Sequence, residues 1–273
     1  MKKLSLALIC AGAVTFANAD MLSVSAGAGY EQQKIDGYVK NGNVINYFNN
    51  SSAQNDGNQN TGDLGFDNKN NPYIWVKLIH PVPILPNIKL QYTKYNTTGH
   101  SKWVAGGVKI FGDVNIPSGL TDVSSKMNIN SYDLTLFYEF KPVVADIEAG
   151  FGADLWQGNT KIDGDNAAIV NGNIVKTLGS THINKNWFVA LPYLYANVET
   201  MSFFGFSALG YVKWAKAGDN HHYDYLAGIK YKFDKIPLFL KMGYRYKEAY
   251  GVDGDNKTKL QYKGYFAEIG AKF

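Results

Sequence analysis

Four short stretches of this chain hold residue types that could do chemistry. "DGDN" occurs twice, at Asp163–Asn166 and Asp253–Asn256, and its alternating carboxylates resemble the start of a calcium loop. Neither copy runs on into further ligands with a closing Glu, whereas Asp-Gly and Gly-Asp are ordinary turn formers, so both read as turns. "GHS" at Gly99–Ser101 puts a His beside a Ser, the pair of a lipid-acting Ser/His site, but the sequence around it supports no such site. The sharpest enzymatic hint is "GDNHHYD", where Asp219 and His221 stand one residue apart. No cysteine-based site is expected, and no metal or cofactor. Most of the remaining charges gain a meaning only from the elements that carry them.

Those elements read as strands. "SYDLTLFYEF" places Tyr132, Leu134, Leu136, Tyr138 and Phe140 on one face, against Asp133, Thr135, Phe137 and Glu139. "ADIEAGFGADLW" sets Ile147, Ala149, Phe151, Ala153 and Leu155 against Asp146, Glu148, Gly150, Gly152 and Asp154. "HYDYLAGIKYKF" opposes five aromatic or aliphatic residues and Ala227 to Asp224, Lys230 and Lys232. "LFLKMGYRYK" opposes Leu238, Leu240, Met242, Tyr244 and Tyr246 to Lys241, Arg245 and Lys247. In "GYFAEIGAKF" the apolar set is Tyr265, Ala267, Ile269, Ala271 and Phe273, and Glu268 and Lys272 face the other way with Phe266. Successive side chains of a strand alternate sides, and about ten residues of such alternation let a tilted strand cross a bilayer. Tyr at the ends of the apolar faces and aliphatics in the middle form girdles, not a soluble core.

Read the same way, the rest yields ten strands, near 21–39, 71–80, 87–97, 127–140, 144–160, 183–198, 202–216, 222–233, 237–250 and 258–273. Their connections alternate between short turns ("PVPILP", "KPVV", the residues around Glu199–Met201, "DKIP") and longer polar segments at 40–70, 98–126, 161–182, 217–221 and 251–257. The expected fold is all-β, a transmembrane up-and-down antiparallel barrel of about ten strands, with long outer loops at 40–70, 98–126 and 161–182. Short turns then lie on the periplasmic side, and an even strand number puts both termini there.

The first residues fit that destination. Lys2 and Lys3 precede the apolar run "LALICAGAVTFA", and "ANA" at Ala17–Ala19 supplies a cleavage site, so residues 1–19 read as a secretory leader and 20–273 as one barrel domain. Cys10, the one cysteine, leaves with the leader. So do two of the 27 Lys and Arg, and the remainder nearly balances 23 Asp and Glu. A balance that close argues against nucleic acid as a partner.

The segments "NSYDLTLFYEF", "LPNIKLQY", "HYDYLAGIKYKF", "MGYRYKE" and "YKGYFAEIGAKF" resemble a family of small outer-membrane β-barrel proteins of Gram-negative proteobacteria. The resemblance covers most of the chain after the leader and implies fold and outer-membrane location. It carries no catalytic residue. The last strand also partly resembles the outer-membrane assembly signal. Phe273 fits, while Ala271 stands where a second aromatic is usual and Glu268 where a glycine is. Recognition by the barrel assembly machinery is therefore expected. In a ten-stranded barrel, Asp219-x-His221 is further similar to the Asp-x-His pair that activates water in omptin proteases. Omptins also need an Asp-x-Asp pair from the second outer loop, where this chain has only the isolated Asp113 and Asp122. Half that machinery is missing.

The expectation is thus a non-enzymatic barrel in outer-membrane lipid, structural or a narrow conduit for a small solute. Its candidate site is the inward charge set: Asp133, Glu139, Asp146, Glu148, Asp154, Asp224 and Glu268 with Lys230, Lys232, Lys241, Arg245, Lys247 and Lys272. Acids concentrate on the fourth and fifth strands and bases on the eighth and ninth. Such a set makes either a polarised pore or a plug of salt bridges. Ten strands enclose a narrow interior, and the inward Phe137 and Trp156 narrow it further, which favours the plug.

Overall fold

The computed structural model describes residues 22–49, 60–82, 84–171 and 173–273. The expected leader and the centre of the asparagine-rich stretch lie outside the described residues. Everything regular within them is strand: β1 (Ser23–Asn41), β2 (Val44–Tyr47), β3 (Thr61–Asp63), β4 (Lys69–Ile79), β5 (Asn87–Val104), β6 (Val108–Ile110), β7 (Val114–Ile116), β8 (Leu120–Phe140), β9 (Ala145–Val170), β10 (Asn173–Thr200), β11 (Phe206–Ala217), β12 (Asn220–Lys232), β13 (Leu238–Asp253) and β14 (Asn256–Lys272). Ten of these pair antiparallel in the order β1-β4-β5-β8-β9-β10-β11-β12-β13-β14, and β14 returns to β1. At the seam, the Phe273 amide donates to the Val24 carbonyl at 2.8 Å and the Val24 amide to the Phe273 carbonyl at 3.0 Å. Closure leaves no sheet edge around that ring at the level of the seam, which satisfies the backbone without water.

The outer surface explains the alternation. On β8 the outward residues Phe140, Tyr138, Leu134 and Tyr132 are exposed apolar side chains, and Asn130, Asn128 and Lys126 follow on the same face. On β9 Phe151 and Leu155 give way to Gln157, Asn159 and Lys161, and on β14 Ile269 and Tyr265 give way to Lys263 and Gln261. The apolar belt therefore begins at the end carrying Ser23 and Phe273, the terminal end, and stops after about ten residues on each strand, near the ~9–11 that a tilted membrane strand needs. Aromatic side chains mark its upper margin: Tyr92 packs on Tyr132 with centroids 5.2 Å apart, and Tyr244 on Tyr265 at 5.4 Å. A contiguous exposed apolar belt of this extent is far larger than the patches of soluble monomers.

Inward glycines have a packing role. Trp187 lies across from Gly158, where a Cβ would come within 1.9 Å of its ring, and Phe239 lies across from Gly270, where the distance would be 2.3 Å. The missing side chain of one strand makes room for the ring of the next, which lets aromatics fill a narrow barrel.

Two expectations are corrected. The segments 98–126 and 161–182 are mostly strand rather than loop: β5 continues to Val104, β8 starts at Leu120, and β9 and β10 run on to Val170 and Asn173. The alternation persists there, but with polar residues outside, so it loses the lipid signature; Ile162, Ile183 and Trp187 still point inward and are buried. For the same reason Asp163–Asn166 is not a turn. It sits within β9, paired on both sides. Asp253–Asn256 does form the β13–β14 turn, with Gly254 at φ 59°.

At the end away from the termini, the lumen holds a separate apolar core. The β6–β7 hairpin folds into it, and Val108, Ile110, Val114 and Ile116 are 0% exposed. They pack with Ile35, Val39, Phe48, Leu64, Val104 and Leu120 from the segments around them. The side chain of Asn46 pins the hairpin's base by accepting from the Ala105 amide at 2.8 Å and donating to the Ala105 carbonyl at 2.7 Å.

Candidate functional site

Below that apolar core the lumen is polar, and its side chains come from the inward positions of every wall strand. Nearest the terminal end, Lys230 meets Glu199 at 2.7 Å, Lys241 meets Glu268 at 3.0 Å, and Lys77 pairs with Glu148. Tyr73 donates to Glu268 and Tyr195 to Glu148, so each carboxylate holds a phenol as well as an ammonium. Lys241 also lies over the rings of Trp75 and Phe239, at 4.6 and 4.9 Å from their centroids.

One layer further in, Arg245 forks onto Asp224, its Nε donating to Oδ1 at 2.9 Å and one terminal nitrogen to Oδ2 at 2.7 Å. The other terminal nitrogen donates to Glu31 across the β14–β1 seam at 2.7 Å. A guanidinium in this geometry satisfies two carboxylates at once, which a lysine ammonium does not do with the same fork. Beside it Lys213 reaches Asp133 at 2.5 Å, and Tyr193 donates to the same carboxylate at 2.7 Å. Above them Lys247 reaches Asp154 at 2.5 Å, while the Trp156 indole and the Ser131 hydroxyl complete that carboxylate at 2.7 and 2.6 Å. Lys213, Lys247, Asp154 and Asp224 are all at most 2% exposed. Charges this deep persist only when paired and hydrogen-bonded.

An aromatic layer separates these pairs from the apolar core. Tyr95 stacks on Tyr262 at 4.8 Å, and Trp156 packs edge-on against His222 and Tyr262. Charge, aromatic and aliphatic layers thus follow one another along the lumen axis.

The structure sorts the sequence-derived set. Asp133, Glu148, Asp154, Asp224, Lys230, Lys241, Arg245, Lys247 and Glu268 join buried or half-buried pairs. Glu139 pairs only with Lys141 at the rim, at 2.9 Å. Asp146, Lys232 and Lys272 also lie at the terminal rim and form no ion pair among the described residues. The expected division of acids against bases across the barrel is not how the network is built. Among the described residues, only Asp154–Lys247 joins the fifth ring strand to the ninth; Asp133 and Glu148 find lysines on β11 and β4 instead. Lys77, Lys213, Glu31 and Glu199 complete the network without having been singled out. Parity could have found them, because each alternates with outward residues (Val76 and Leu78 around Lys77, Val212 and Trp214 around Lys213).

The hydrolytic candidates are not assembled. His221 faces outward, stacked between Tyr223 and Tyr250 at 4.7 and 4.9 Å, and its Nε2 meets Glu248 Oε1 at 2.8 Å. Asp219 stays in the β11–β12 turn with no bond to it. Asp113 occupies the β6–β7 turn and Asp122 an irregular point of β8. In "GHS", His100 is exposed and Ser101 buried, on opposite faces of β5.

Among solved structures, the chain is similar to the outer membrane protease OmpT from Escherichia coli, with a TM-score of 0.53 and 10% identity over 94% of this chain and 98% of that one. The fold is that of an outer-membrane β-barrel. The translocator domain of the autotransporter NalP from Neisseria meningitidis aligns over 100% of this chain and 95% of its own, at 12% identity and a TM-score of 0.43. At these identities the likeness is one of architecture. No protein-family model and no characterised protein sequence matches the chain.

Proposed function

We propose that this protein is an integral outer-membrane barrel with a closed lumen, non-enzymatic, acting through its wall and its projecting end rather than as a diffusion pore. The observation that carries this reading is the layered filling of the lumen, from the Lys77, Lys230 and Lys241 pairs through Arg245 and Lys247 to the β6–β7 hairpin. In this reading the apolar belt lies in the bilayer and the short turns and both termini face the periplasm. The extended β9–β10 hairpin stands outside the cell. Phe273, locked to Val24 at the seam, is the residue through which the barrel assembly machinery would take up the last strand.

Single cysteines test the arrangement, since the chain after residue 19 has none. On intact cells an impermeant maleimide is expected to label Asn171→Cys at the β9–β10 tip. Lys235→Cys, in the β12–β13 turn, should react only after permeabilisation. Thr135→Cys, at a lumen position 0% exposed, should resist labelling from either side. Labelling of Lys235→Cys on intact cells would invert the topology, and ready labelling of Thr135→Cys would mean a water-filled lumen.

A further inference from the structure

The wall is not equally tall all round. β10 pairs with β9 along nearly its whole length but with β11 only from Leu194 to Glu199, so among the described residues no strand is hydrogen-bonded to its other edge from Tyr193 up to Asn173. β11 and β12 turn back early, between Ala217 and Asn220, whereas β13 continues to Asp253. The short hairpin leaves a window in the wall between β10 and β13, backed on the inside by the β6–β7 turn. A cavity of about 250 Å³ occupies it, lined chiefly by Phe111, Val189, Leu191, Ala249, Gly251 and Val252. Ala190 borders it too, and it lies on the outward face of β10 opposite Leu155, the last apolar outward residue of the belt on β9. The cavity therefore reaches the upper margin of the belt at β10, while the charged pairs of the lumen lie outside its lining.

We propose that this window admits a hydrocarbon chain from a lipid of the surrounding leaflet, whose end lodges against Phe111 and Leu191. Its walls are mainly apolar; of the polar side chains that border it, Asn220, Asp253 and Asn256 stand at strand ends beside the β11–β12 and β13–β14 turns, and the Thr258 hydroxyl on β14 is taken by the Phe111 amide at 3.0 Å. A volume somewhat below the ~300 Å³ of small-ligand pockets suits a segment of chain, not a whole amphiphile. The polar head then stays at the aromatic margin of the belt. Covering apolar wall that otherwise meets water is favourable.

This site rests on the membrane reading, and the two can fail separately. Insertion is read from heat-modifiable mobility of the protein in lipid nanodiscs, occupancy from tryptophan quenching. Trp187 packs on Phe111 at 5.1 Å and so reports on the cavity, while Trp214, 44% exposed, faces the belt and is removed by Trp214→Phe. In that background, a phospholipid brominated near the end of one chain is expected to quench a saturable part of the remaining emission. Gly251→Leu should abolish that part without loss of insertion, because a Cβ there meets only Phe111 Cδ1, at 3.7 Å, and the rest of the side chain fills the cavity. Val189→Phe, which narrows the cavity from β10, should weaken it. No saturable quenching in the inserted parent, or quenching unchanged by both substitutions, would overturn the proposal. Quenching by a brominated free fatty acid with none from the phospholipid would overturn the lipid as its source.

Discussion

Replacing Arg245 by Ala is expected to destabilise the barrel by about 3–5 kcal/mol, since it strands two buried carboxylates at once. Asp224 is 0% exposed and Glu31 4%, and the guanidinium satisfies both. Urea unfolding in lipid vesicles, followed by tryptophan emission, measures the loss. Arg245→Lys should recover only part of it, because one ammonium cannot reproduce the fork onto Asp224 while reaching Glu31. The triple variant Arg245→Met, Asp224→Asn, Glu31→Gln should recover more than Arg245→Lys, because it removes the charges together with their partner. An Arg245→Ala protein with the midpoint of the parent would show that water reaches both acids and that the layer is a solvated lining.

The second large effect is expected at the other end of the lumen. Ile110→Asp puts a charge where the present side chain is 0% exposed and surrounded by aliphatics. An unpaired carboxylate there costs several kcal/mol, more than a single two-stranded hairpin can supply, so the hairpin should leave its place. The β-ring itself is held by its closed ladder and by the charged pairs below and should survive. Limited proteolysis is then expected to cut within 105–119 in the variant and not in the parent, with heat-modifiable mobility retained in both. A hairpin equally resistant in the variant would show that its packing does not hold the far end shut.

Both effects depend on features with different legibility in the sequence. Strands in the apolar belt were readable because lipid imposes a one-sided pattern: Tyr132, Leu134 and Tyr138 alternate with Asp133, Thr135 and Phe137, and the parity assigns the face. Above the belt, water lies outside and the alternation loses contrast, so Lys102, Ser124, Lys161 and His182 read as loop although they continue β5, β8, β9 and β10. The hairpin is harder still. Val108, Ile110, Val114 and Ile116 alternate over only three residues in each strand, and their burial comes from the barrel they enter, not from a pattern of their own. Within the site, acids and bases were visible as inward residues, but their partners were not. Pairing is decided by which long side chains reach across a curved wall, as when Lys213 on β11 reaches Asp133 on β8. That geometry has no local trace in the chain. The Asp219–His221 pair shows the converse: its spacing is suggestive, yet strand parity turns His221 outward to Glu248.

Planar-bilayer recording of the purified wild-type barrel tests the closed lumen most directly. With Arg245, Lys213 and Lys247 paired across the interior and the β6–β7 hairpin packed beyond them, insertion should produce no steady ohmic current steps in either polarity. Regular steps of porin-like size from the wild type would contradict it, because ions would then be passing through layers that this structure fills with side chains.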